Sequence, residues 1–462
     1  MKIEQIYTGC LAQGAYYIES DGEAAIIDPL REVQPYIDKA AKDHAIIKYV
    51  FETHFHADFV SGHIDLAKKT GATIVFGPNA ETNFESHISA DNEIFTLGKI
   101  KIKVLHTPGH TMESSCYLLI DENDKNYCLF TGDTLFIGDV GRPDLAIKSN
   151  LTKEDLAGFL YDSLHTKILP LSDDVIVFPA HGAGSACGKN MSKETSATLG
   201  NQRLYNYALQ QISKEDFIKQ VTDGLTEAPQ YFPKNAMMNK HGYESIDDVF
   251  EKGLHALDAD EFEAKANELD ALVLDTRHET AFAKAHIPNS IFIGLHGSFA
   301  PWVGELITDL KQPILLICEH GKEEDAITRL ARVGYDNTIG YLKGGFETWT
   351  MAGKETDSID NITAPDLEKI LKTEQSQIID VRKETEYNAA HINIAQNKPL
   401  SYINEWSGSL SKDKPYYIHC AGGYRSIITI SILKARGFHH LVNIEEGYKA
   451  IAQTDIATTT LP

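Results

Sequence analysis

The sequence has no apolar run near the ~18 residues that a membrane-spanning helix needs, which excludes a role across the bilayer. Its start, Met1-Lys2-Ile3-Glu4-Gln5, lacks the basic and apolar regions of a secretory leader, so a cytoplasmic protein is expected. Positive charge is scarce. Against 66 Asp and Glu stand 43 Lys and Arg, a formal net charge of −23, and that field repels phosphate backbones and excludes general nucleic-acid binding. Cysteine is sparse too: Cys10, Cys116, Cys128, Cys187, Cys318 and Cys420 form no CxxC pair. In a chain this long they cannot make a disulfide scaffold and read as reduced thiols. The remainder is ordinary globular composition, with 42% hydrophobic and 24% charged residues over 462 positions. At ~100–200 residues per domain, that length implies two to four α/β domains. An acidic surface and a spare domain point to a homo-oligomer.

Four segments share one layout in the first ~180 residues. Residues 46–51 lead into Thr53-His54-Phe55-His56-Ala57-Asp58-Phe59, and residues 101–105 into Thr107-Pro108-Gly109-His110. Residues 127–130 lead into Thr131-Gly132-Asp133, and residues 175–178 into Pro179-Ala180-His181-Gly182. Each strand-like run delivers a His or Asp into the loop at its C-terminal end. Strands in packed sheets would bring those loops to one rim, where imidazole and carboxylate suit a divalent transition metal. Residues 151–169 read as a helix, started by a Thr152 cap with Asp155 three positions on. Residues 195–253 read as mainly helical, with a breaker at Pro229-Gln230-Tyr231-Phe232-Pro233. Beside His181, Gly182-Ala183-Gly184-Ser185-Ala186-Cys187-Gly188-Lys189 is a small-residue loop whose amides can hold anions, which makes Cys187 a minor candidate for the site.

The remainder repeats. Asp275-Thr276-Arg277 and His286-Ile287 return as Asp380-Val381-Arg382 and His391-Ile392. Cys318 returns as Cys420, and Lys343-Gly344-Gly345 as Glu445-Glu446-Gly447, the order expected of a duplicated small α/β domain. In the second copy, His419-Cys420-Ala421-Gly422-Gly423-Tyr424-Arg425-Ser426 joins a buried-type strand (415–418) to a helix (427–435). Successive amides and the helix N-terminus would stabilise a thiolate at Cys420 and an oxyanion bound near it, with Arg425 adding positive charge. In the first copy Glu323 stands where Arg425 stands. A charge pair at ~4 Å is worth about 4 kcal/mol at an effective dielectric near 20, so this exchange turns attraction into repulsion. Cys318 is therefore expected to be inert.

At its His and Asp motifs the chain resembles the metallo-β-lactamase superfamily, which implies an αββα sandwich with a metal site along one edge. Hydrolases of that superfamily such as glyoxalase II carry HxHxDH and two zinc ions. Here the last His is Phe59, which cannot ligate, so one ion is the expectation. The segments Thr53 to Asp58, Thr107 to Thr111, and Thr131-Gly132-Asp133-Thr134-Leu135-Phe136 running into Gly138-Asp139-Val140-Gly141-Arg142-Pro143-Asp144 are similar to persulfide dioxygenases. That resemblance implies one Fe(II) held by His54, His110 and Asp133, with zinc possible in isolated protein. His56, Asp58 and His181 would surround those ligands, and Arg142 would face an anionic substrate or product. Two His and one carboxylate leave three octahedral positions, enough for O₂ and a persulfide sulfur.

The Cys420 loop resembles rhodanese. Taken whole, the chain is similar to a persulfide dioxygenase–rhodanese fusion, with a sandwich domain over 1–250, a degenerate rhodanese over 256–356 and a rhodanese over 362–462. The implied chemistry oxidises a low-molecular-weight thiol persulfide with O₂ to sulfite. Sulfur transfer through Cys420 then gives thiosulfate. The alternatives are a zinc-dependent thioester hydrolase and a non-catalytic sulfur carrier.

Overall fold

The computed structural model describes residues 1–145, 151–373 and 376–460. These divide into two compact units, Met1–Ile246 with Ala331–Gly334, and Asp247–Leu330 with Tyr335–Pro462. Among the described residues no helix is long and apolar enough to cross a membrane.

The first unit contains two six-stranded sheets. One holds Lys2–Thr8, Gln13–Ser20, Glu23–Ile27, Ile46–Phe51, Thr73–Phe76 and His87–Ile88; the other holds Ile94–Leu97, Ile100–His106, Ser115–Ile120, Asn126–Gly132, Ile176–Pro179 and Ala197–Thr198. Side chains alternate across each strand, so both faces of a sheet need a partner. In Gln13–Ser20, Tyr16 and Ile18 join Val104, Tyr117, Leu119 and Phe130 between the sheets. Ala15 and Tyr17 on the opposite face pack with Tyr36, Ala40 and Leu66 of two helices. On the far face of the second sheet, Leu118, Leu129 and Val177 cluster with Ala157, Leu160 and Leu164. The result is the αββα sandwich.

The expected helix start is present. Asp155 N–H donates to Thr152 Oγ1 at 3.1 Å and Thr152 N–H to Asp155 Oδ2 at 3.0 Å, opening Lys153–Ser163, which runs on as a π-turn, Leu164–Ile168. Residues 195–253 form Leu199–Tyr205, Lys214–Thr222, Phe232–His241 and Ile246–Gly253, preceded by the short edge strand Ala197–Thr198. The reading of 229–233 as a break is corrected at its end: Pro233 sits in the first turn of Phe232–His241. There a missing N–H costs nothing and the fixed φ helps the helix begin.

The second unit carries the duplication. One five-stranded sheet runs Ala256–Leu257, Thr338–Leu342, Ile314–Ile317, Leu272–Asp275, Ile291–Phe292, all parallel. The other repeats that order as Asp360–Ile362, Leu441–Ile444, Tyr416–His419, Gln377–Asp380, Gln396–Asn397. The repeated Asp-x-Arg is a structural clamp. Arg277 grips Asp275 at 2.6 Å and donates to the Ala285 carbonyl; Arg382 grips Asp380 at 2.6 Å and donates to the Ala390 carbonyl.

Candidate metal centre and cysteine loops

Each metal candidate stands just past a strand end, and all are buried. His54 and Asp58 follow Ile46–Phe51 of the first sheet; His110, Asp133 and His181 are delivered by Ile100–His106, Asn126–Gly132 and Ile176–Pro179 of the second. Asp133 lies at the centre. Its Oδ2 is 3.4 Å from His110 Nε2 and 3.9 Å from His54 Nε2, while its Oδ1 is 3.6 Å from His181 Nε2. His181 Nε2 is also 3.4 Å from Asp58 Oδ2.

The remaining ring nitrogens fix the tautomers. His110 Nδ1–H donates to the Arg142 carbonyl at 2.8 Å, and His181 Nδ1–H to the Ala12 carbonyl at 3.2 Å. Thr53 Oγ1 donates to Asp28 Oδ2 at 2.8 Å and so accepts from His54 Nδ1–H at 3.0 Å. All three Nε2 lone pairs therefore face Asp133. Burial first, then the rings of His56, His110 and His181, hold His54 well below the usual imidazole range, which keeps it neutral as a ligand must be. Burial alone would also lower His56, but Asp28, 3.1 Å from its Nε2, and then Glu52 and Asp58 raise it to about 9.

The residues fit an ion. Both oxygens of Asp133, His181 Nε2, Asp58 Oδ1 and His56 Nδ1 are buried with no hydrogen-bond partner. Each such atom costs roughly 1–3 kcal/mol unless something satisfies it. His54, His110 and Asp133 each bring a ligand atom within 4.8 Å of the others, and His56, Asp58 and His181 form a second such group. Phe59 is fully buried with its ring 4.3 Å from that of His56, filling the place of the missing histidine with carbon.

Arg142 differs from the expected free cation. Its Nε and Nη2 grip Asp144 at 2.6 and 2.7 Å, Nη2 also donates to the Thr226 carbonyl at 2.5 Å, and its N–H donates to the Cys187 carbonyl at 2.9 Å. With its carbonyl on His110, Arg142 ties a metal candidate to the loop that carries Cys187. That loop also leans on Asp139, whose Oδ2 accepts from Lys189 N at 2.7 Å and Asn190 N at 2.6 Å. Cys187 brings its Sγ within 4.8 Å of ligand atoms of Asp133 and His181. Burial, then the charges of Asp58 and Asp133, push its thiol well above the ordinary range.

Sequence reasoning missed Asp28 and Gly141. Asp28 ends the turn after Glu23–Ile27 and holds both Thr53, through N–H at 2.8 Å, and His56. Gly141 passes between ligands: a Cβ there would lie 2.0 Å from the Asp133 carbonyl oxygen and 2.9 Å from His110 Nδ1. Gly141→Ala is expected to lower bound metal about tenfold or more while the circular dichroism stays near wild type, as elemental analysis would register. Full metal content in that variant would contradict the geometry.

The two cysteine loops differ in their surroundings. Gly423 N–H donates to Cys420 Sγ at 3.1 Å, Ser426 Oγ is 3.7 Å from it, and the Arg425 guanidinium grips Glu386 at 2.6 and 2.8 Å. Tyr424 O–H donates to the Gly294 carbonyl at 2.7 Å, so the first copy braces the second copy's loop. Gly447 is required beneath it, since a Cβ would lie 2.3 Å from the Cys420 carbonyl oxygen. Burial pushes Cys318 up to about 12, with Glu323, Asp275 and Asp325 adding to it against a Thr276 hydrogen bond. Cys318 therefore stays protonated well beyond neutral pH. Iodoacetamide followed by peptide mapping is expected to leave Cys318 unlabelled at pH 8, and rapid labelling would contradict this.

A buried His and Asp cluster at one edge of an αββα sandwich defines a metal-binding fold, here followed by two small parallel-sheet domains. The metallo-beta-lactamase superfamily pattern matches residues 8–181, and the rhodanese-like domain pattern matches 258–352 and 363–454. A solved metallo-beta-lactamase from Staphylococcus aureus is 31% identical, covering 74% of this chain and 98% of its own, with a TM-score of 0.66. A hydroxyacylglutathione hydrolase of Dictyostelium discoideum is 31% identical over 45% of this chain and 75% of its own length. A probable hydroxyacylglutathione hydrolase of Schizosaccharomyces pombe is 31% identical over 35% of this chain and 60% of its own length. The chain spans 60%, 58% and 51% of three curated relatives that it matches. The chain belongs to the metallo-beta-lactamase superfamily and carries two rhodanese-like domains after the sandwich.

Proposed function

We propose that this chain is a persulfide dioxygenase coupled to a rhodanese. The carrying observation is the pairing of a two-His, one-Asp group, His54, His110 and Asp133, with Phe59 where a further ligand to a second hydrolytic zinc would stand. Iron(II) held there would supply the redox chemistry that joins O₂ to a sulfur anion. The residues do the rest. His54 and His110 present neutral Nε2 atoms, Asp133 presents Oδ2, and Arg142 with Asp28 keeps the two rings from turning. Overall, RSSH + O₂ + H₂O gives RSH, sulfite and two protons.

The second half of the proposal lies in the Cys420 loop. Its thiolate attacks the outer sulfur of a persulfide and releases the parent thiol; Gly423 N–H steadies the sulfur. Sulfite then takes that sulfur and leaves as thiosulfate, returning Cys420 to thiolate. Carrying both sites on one chain keeps them in a one-to-one ratio, so the sulfite made at the first has an acceptor site for every catalytic centre. The partners in this reading are a low-molecular-weight thiol persulfide, O₂ and sulfite, in a cytoplasmic homo-oligomer that removes excess sulfide.

A second reading, a zinc-dependent thioester hydrolase, is favoured by the relatives named hydroxyacylglutathione hydrolase. One comparison separates them. Iron-loaded full-length protein is assayed for O₂ uptake with glutathione persulfide, and zinc-loaded protein for hydrolysis of S-lactoylglutathione. Turnover in the first assay alone is expected, and turnover in the second alone would overturn the dioxygenase reading.

A further inference from the structure

The first of the two small domains carries its own group of metal-ligating side chains, His278, Glu279 and His296. Glu279 Oε2 lies 2.6 Å from His296 Nε2 and 3.4 Å from His278 Nδ1, and ligand atoms of all three lie within 4.8 Å of one another. The two imidazole rings are stacked, with centroids 4.4 Å apart and planes 16° apart. Glu279 Oε2 is buried and has no hydrogen-bond partner, while both histidines are open to solvent. The backbone holds each member in place. His278 caps the helix Glu279–Lys284, its Nδ1 accepting from Thr280 N–H at 3.3 Å, so that nitrogen carries a lone pair. His296 follows Leu295, whose N–H donates to the Thr276 carbonyl at 3.0 Å and whose carbonyl accepts from Arg329 Nη1 at 2.7 Å.

We propose that His278, Glu279 and His296 form a surface site for a borderline divalent ion such as zinc. An ordinary ion pair would set one imidazolium against the carboxylate, and at a surface such pairs are worth little. Here two rings converge on one oxygen, and two protonated rings stacked this closely would repel each other. A divalent cation removes the conflict: both imidazoles ligate as neutral rings, and the carboxylate supplies the negative charge. Two nitrogens and one oxygen leave a position for water. Thr280 is exposed, so its N–H can turn to solvent when the ion takes His278 Nδ1. The site adjoins the Cys420 loop. The His296 ring meets the Tyr424 ring edge-on at 5.2 Å, and the Gly294 carbonyl two residues before His296 holds Tyr424 O–H. Fixing His296 with an ion therefore stiffens the brace on the Cys420 loop. That consequence for sulfur transfer rests on the Cys420 reading, whereas the ligand assignment does not.

The test is equilibrium dialysis of the full-length chain against buffered zinc, with elemental analysis and hydrogen exchange read on the same samples. Wild type is expected to take up one zinc equivalent that His296→Gln and Glu279→Gln bind at least about tenfold more weakly. That equivalent should persist in His110→Ala and in Cys420→Ser, which separates it from the sandwich cluster and from the loop thiol. Its binding should slow amide exchange over residues 276–298 in wild type and leave that stretch unchanged in His296→Gln. Slowed exchange over 421–426 at the same step supports the stiffened brace, and its absence removes that consequence alone. Equal zinc uptake by wild type, His296→Gln and Glu279→Gln, or unchanged exchange over 276–298 at saturation, overturns the proposal.

Discussion

His110→Ala is expected to lose O₂ uptake with a thiol persulfide and most of its bound iron. Outer-shell partners of metal ligands are typically worth ~10–100-fold in affinity or activity, and the loss of a ligand itself should exceed that. His110 Nδ1 is anchored on the Arg142 carbonyl and its Nε2 is 3.4 Å from Asp133 Oδ2, so the ring is held with its free nitrogen toward the carboxylate. The checks are an oxygen electrode and elemental analysis of protein purified without air. Normal uptake by the variant would sink the assignment of His54, His110 and Asp133. His181→Ala separates the two ligand groups: it should retain iron far better than His110→Ala, because His181 faces the other oxygen of Asp133.

Cys420→Ser should abolish thiosulfate formation from persulfide and sulfite, and Cys318→Ser should leave it within about twofold of wild type. The loops descend from one ancestor, yet their sulfurs sit in different fields. Gly423 N–H points at Cys420 Sγ, whereas Glu323, Asp275 and Asp325 face Cys318, whose thiol is pushed up to about 12. The sign is simple: a thiol whose pKa rises stays protonated further into alkaline solution, so raising the pH from 7 to 9 should not awaken the first copy. A thiosulfate assay across that range decides it, and activity surviving in Cys420→Ser would reverse the assignment.

Much of this was legible in the sequence because a strand run that ends in a polar residue is a local pattern. His54, His110, Asp133 and His181 each close such a run, and the structure gathers all four. The duplicated domains were legible for the same reason, since Asp-x-Arg and the Cys-led loop keep their spacing from strand ends. Arg142 was not. Sequence gives it a charge, and only folding reveals Asp144 and the Thr226 carbonyl consuming its donors. Asp28 and Gly141 escaped because their contacts join distant segments, and Pro233 misled because proline stops a helix in its middle but starts one at its first turn.

Asp58 and His54 come from one sheet, while His110, Asp133 and His181 come from the other. An ion at this rim is therefore a rivet between the two leaves of the sandwich as well as a reagent. A ligand present at 1,000 times its dissociation constant stabilises the folded state by about 4 kcal/mol. Chelation should accordingly lower the melting temperature of this half of the chain, and cells starved of metal would hold a softer, more protease-sensitive protein before they held an inactive one.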